Sequence, residues 1–84
     1  MESIKNVLKG SAPTLESLIN CFELLKQNGD VAVIKFDGER ASEPYTIFIT
    51  FPSAKARSMI RVDENDLKTG LIKSLSEYVK TPSL

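Results

Sequence analysis

The chain contains no histidine and no tryptophan, and its only cysteine is Cys21. The missing histidine removes the commonest general base and the commonest metal ligand. A single thiol makes neither an internal disulfide, nor a thiolate zinc site, nor a CxxC redox pair. Cys21 stands in a Leu-Ile-Asn-Cys-Phe-Glu-Leu context beside an apolar helical stripe. It reads as a buried structural thiol, and a reducing cytoplasm is the simplest setting for it. Four glycines are scattered along the chain, which leaves no phosphate-cradling loop. No apolar run approaches the ~20 residues that span a bilayer. The start is charged and amphipathic, without the apolar stretch of a signal peptide. Neither sign of charge is in excess: 11 Lys and Arg face 11 Asp and Glu. Nothing therefore draws the whole chain to nucleic acid or an anionic membrane. These absences point away from an enzyme, a metalloprotein and a cofactor carrier; the expectation is no catalytic residue, no metal and no cofactor.

What is present is the composition of a folded domain. The chain is 42% hydrophobic and 26% charged, which fits a soluble globular domain rather than a disordered one. Its 84 residues make one domain, 1–84. A chain of this length hides roughly 60–65% of its extended surface, so the core is thin and a deep cleft is hard to enclose.

The clearest element is residues 45–51, Tyr-Thr-Ile-Phe-Ile-Thr-Phe. It is aromatic and β-branched throughout, with strict alternation. Tyr45, Ile47, Ile49 and Phe51 form a core face; Thr46, Phe48 and Thr50 form the other, where Phe48 is out of place. Upstream, residues 1–10 make a short helical segment carrying Ile4, Val7 and Leu8. A second helix starts at Ser11 or Thr14, carries Leu15, Leu18, Ile19, Phe22 and Leu25, and stops at Asn28-Gly29. Residues 30–36 form a first strand, apolar on both faces, with Ala32, Ile34 and Phe36 opposed to Val31 and Val33. The polar segment 37–44 reverses the chain into an antiparallel hairpin. A third strand is expected at 58–62, with Ile60 and Val62 inward and Met59 and Arg61 outward. Asp63 is the natural N-cap of a last helix, with Asp66 placed as in a capping box. That helix carries Leu67, Leu71, Ile72, Leu75, Tyr78 and Val79. Its internal Gly70 costs about 1 kcal/mol relative to Ala and marks a close approach to the sheet. Residues 81–84 are tail.

The fold class that follows is α+β: a small three-stranded antiparallel meander packed against two amphipathic helices, in the order α(α)βββα. Three constellations carry any function. Asp63, Glu64 and Asp66 could hold a cation, but they lack calcium-loop spacing and read better as a helix start. Lys55, Arg57 and Arg61 form a basic stretch that reads first as a solvated loop and strand edge, next as a contact for an acidic protein surface and last as a nucleic-acid contact; no aromatic platform accompanies them. Val31, Val33 and Phe48, with Met59 beside them, make the second sheet face apolar, which normally marks an interface. Two arrangements would instead bury that face: the N-terminal segment folding over it, or one long helix packing on each side. The functional expectation is a small non-enzymatic protein-binding module of the accessory or inhibitor type, akin to immunity proteins. It would work through Val31, Val33, Phe48, Lys55, Arg57 and Arg61. Its partner is another protein or a second copy of itself, through the sheet face or a sheet edge. The alternative is a small nucleic-acid-binding domain using Lys35, Lys55, Arg57 and Arg61.

Overall fold

The computed structural model describes residues 2–80; Met1 and the tail at 81–84 lie outside the described residues. The order is α1 (Glu2–Lys9), α2 (Leu15–Gln27), β1 (Val31–Phe36), β2 (Tyr45–Thr50), a 3-10 turn (Ser53–Lys55), β3 (Ile60–Glu64) and α3 (Leu67–Lys80). The strands form an antiparallel sheet in the order β1-β2-β3. This is the α+β meander that periodicity predicts.

Local chemistry sets the element ends. Thr14 caps α2: its hydroxyl accepts from the Ser17 backbone N–H at 3.0 Å, and the Ser17 hydroxyl donates back to the Thr14 carbonyl at 2.9 Å. Gly29 ends the helix with φ of +86°, the left-handed region that glycine enters without a Cβ penalty. The start of α3 differs from expectation. β3 runs two residues further than the predicted 58–62 and takes Asp63 into the sheet opposite Thr46. The cap is Asp66, whose carboxylate accepts from both the backbone N–H and the hydroxyl of Thr69, at 2.9 and 2.8 Å.

All three helices lie on one side of the sheet. Ile47 and Ile49 of β2 are fully buried with Leu18, Cys21 and Leu25 of α2 and Leu71, Leu75 and Tyr78 of α3. Ala32 and Ile34 of β1 and Ile60 at the start of β3 pack against this same cluster. α2 packs on β1, and α3 packs on β2 and β3. Gly70 permits the latter contact, because a Cβ there would stand 2.7 Å from Cδ1 of Ile47. α1 packs on α2 and α3 rather than on a strand, and its Ile4 is fully buried in the helix-side core. Both arrangements that would cover the second sheet face are thereby overturned. α1 has its own apolar site between the long helices, and α2 and α3 share one face.

Candidate functional site

The uncovered sheet face is the candidate site. Its geometry follows from the ladder phase. The Asp37 backbone N–H donates to the Pro44 carbonyl at 2.8 Å. Alternation from that bond makes Val33–Phe48 a hydrogen-bonded pair and Phe48–Arg61 a non-hydrogen-bonded one, whose side chains come closest. The Arg61 guanidinium lies 5.2 Å from the centroid of the Phe48 ring, within cation–π range. Val31, Val33 and Met59 are 58%, 49% and 53% exposed. Phe48 is half-buried between β1 and β3. A strip of four apolar side chains therefore faces solvent, with one arginine along it.

The hairpin end of the same face is polar and tightly bonded. Thr46 and Asp63 are also a close pair. The Thr46 hydroxyl donates to Asp63 Oδ1 at 2.6 Å, Arg40 to Asp63 at 3.1 Å, and Arg61 Nε to Asp63 Oδ2 at 3.1 Å. These donors, the Thr46 hydroxyl foremost and Arg61 next, lower the Asp63 pKa to about 2. The network buries Thr46 although it belongs to the outward set.

The predicted partner-binding residues separate into two groups. Val31, Val33, Phe48 and Arg61 meet on the uncovered face. Lys55 and Arg57 lie on the helix side, half-buried and engaged by other groups of the fold. Lys55 Nζ donates to Asp30 Oδ1 and to the Asn28 carbonyl, each at 2.7 Å. Arg57 stacks 4.1 Å from the Phe51 ring centroid and 5.3 Å from that of Tyr78. It also donates to the Tyr78 carbonyl at 3.2 Å. The acidic trio is likewise dispersed: Asp63 joins the Thr46 network, Glu64 pairs with Lys73, and Asp66 caps α3. Among the described residues no group of three His, Cys, Asp or Glu is placed to hold a metal ion.

Sequence reasoning missed a second polar cluster around Asp30. Its side chain is 1% exposed. It accepts from Lys55 and, at 2.7 Å, from the Tyr78 hydroxyl, which in turn accepts from Asn28 Nδ2 at 3.1 Å. Burial, and then the bond to Asp30, raise the Tyr78 pKa. No buried side-chain polar atom among the described residues lacks a partner. The cluster is thus a satisfied junction of α2, β1, the 3-10 turn and α3. Nor is any helix of the described residues long and apolar enough to cross a membrane. A comparison with protein families finds no matching family model, and no curated protein or solved structure matches the chain.

Proposed function

We propose that the chain is a non-enzymatic protein-binding module, of the accessory or inhibitor type, that docks through its uncovered sheet face. The observation that carries this reading is the exposed strip of Val31, Val33, Phe48 and Met59 on the face opposite the helix-side core. Clustered exposed apolar side chains with a polar margin are the usual signature of an interface. Arg61 over Phe48 adds an aromatic–arginine pair, residue types enriched at protein interfaces. The polar Thr46–Asp63–Arg40 end fixes one boundary of the surface. A reducing cytoplasm suits the buried free thiol of Cys21.

The nucleic-acid alternative has weaker support, because Lys55 and Arg57 are engaged by other groups of the fold, which leaves Lys35 and Arg61 of the four cations on the uncovered face. The test pairs affinity capture with light scattering over a concentration series, for the parent, Val33→Asp and Phe48→Asp. The reading expects captured protein, or self-association, to be lost in both variants while thermal melting stays close to the parent. Capture and mass unchanged by both substitutions would end it.

A further inference from the structure

We propose that the free edge of β1 is a second docking surface, which takes an extended peptide segment as a fourth strand. It rests on the protein-binding reading but uses a different surface. Three observations converge on an extended occupant. First, the ladder phase fixed by Asp37 and Pro44 turns the main-chain groups of Val31, Val33 and Lys35 toward β2. Those of Ala32, Ile34 and Phe36 therefore point outward. Free N–H and C=O groups at every second residue are complemented by another strand. Second, a groove of about 370 Å³ lies beside this edge, its apolar lining Ile19 and Phe22 of α2 and Ala32 and Ile34 of β1, with the ion-paired Glu23 and Lys26 of α2 also lining it. Ile19 is 42% exposed there. The volume sits at the low end of ligand pockets. Alternate side chains of a strand fit a groove of this volume. A second copy paired edge to edge would bring its own α2 to the same seam, so the groove favours a lone strand. Third, the charged residue of β1 itself is cationic: Lys35 keeps 56% of its side chain exposed, whereas its partner Asp37 keeps 19%.

The occupant is thus an antiparallel segment with apolar residues opposite Ala32 and Ile34 and an acid opposite Lys35. Its main chain extends the ladder, its apolar side chains fill the groove, and its acid meets a cross-strand cation.

The probe is the capped hexapeptide Thr-Glu-Val-Thr-Ile-Thr, read antiparallel to β1 so that Glu faces Lys35 and Val and Ile face the groove. Amide hydrogen exchange and a fluorescence titration are measured on the full chain. The expected result is slowed exchange at Ala32, Ile34 and Phe36. Affinity falls at least tenfold in Ile19→Asp and several-fold in Lys35→Glu, and a peptide with Lys in place of Glu restores the second. No slowing at those three amides with peptide at millimolar concentration overturns the proposal. So does binding indifferent to Ile19→Asp. Phe48→Asp leaves peptide binding unchanged, which separates this surface from the sheet face: loss of either activity alone identifies which reading has failed.

Discussion

Tyr78 donates its hydroxyl proton to Oδ2 of Asp30 across 2.7 Å, fastening the last turn of α3 to the residue that precedes β1. Tyr78→Phe keeps the ring stacked on Phe51, whose centroid is 5.9 Å away, and removes only the hydroxyl. We expect it to cost about 1.5 kcal/mol, the lower end for a hydrogen bond to a charged group, because Asp30 keeps Lys55 as a partner. Asp30→Ala should cost more, about 2–3 kcal/mol, because it also removes the carboxylate partner of Lys55, which keeps only the Asn28 carbonyl. That is below the 3–5 kcal/mol of fully buried pairs, since a third of the Lys55 side chain reaches solvent. Urea denaturation of both variants checks the order. Equal midpoints for Tyr78→Phe and the parent would remove the fastening from the stability argument.

Asp63 gives the acid limb of the stability curve. Its folded pKa of about 2 lies below the ~3.9 of an unfolded aspartate. The folded state thus binds this proton more weakly than the unfolded state. The contribution is complete above about pH 4–5 and is lost as pH falls through about 2. Thr46→Val removes the leading donor and should move the Asp63 titration upward. Carboxyl-carbon NMR titration of parent and variant measures this directly; an ordinary aspartate value in the parent contradicts it.

Asp66→Ala should lose about 1 kcal/mol through the α3 cap. Asp63→Ala should leave the helix start intact and act through the Thr46–Arg40–Arg61 network instead. Helical chemical shifts at Leu67 to Gly70 distinguish the two. Fraying in Asp63→Ala but not in Asp66→Ala would reverse the assignment.

Gly70 offers a test by coupling. Ala in its place gains about 1 kcal/mol of helix propensity, but its Cβ meets Cδ1 of the fully buried Ile47. We expect Gly70→Ala to destabilise the parent and to stabilise the Ile47→Val background, which lacks that methyl. A double-mutant cycle reads the sign change. The same sign in both backgrounds would show that the contact is relieved elsewhere.

What the sequence disclosed and what it hid divide by range. Residues 45–51 alternate so regularly that the inward facing of Ile47 and Ile49 could be read directly. Thr14, Gly29 and Gly70 each announce a local geometry, and each holds it in the structure. Asp63 misled because an acid after an apolar strand resembles a cap. The alternation Ile60, Val62, Glu64 against Arg61 and Asp63 was the better guide, as was Thr69 three residues after Asp66. The covering of the sheet could not be read, because Ile4, Val7 and Leu8 fit a helix layer as well as a sheet face. Lys55 and Arg57 looked like surface cations because their partners, Asp30 and Tyr78, are distant in the chain. No local pattern links those four residues.

The sheet joins only consecutive strands, through connections at 37–44 and 51–59, whereas the Asp30–Tyr78 bond spans 48 positions. Short loops close at lower entropic cost, so the hairpin contacts form ahead of this distant fastening. A bond made after the rate-limiting step belongs to the barrier out of the native state. Stopped-flow measurements should therefore find that Tyr78→Phe speeds unfolding and barely alters refolding. How long a molecule stays native would then be governed by a hydroxyl that plays little part in how quickly it gets there.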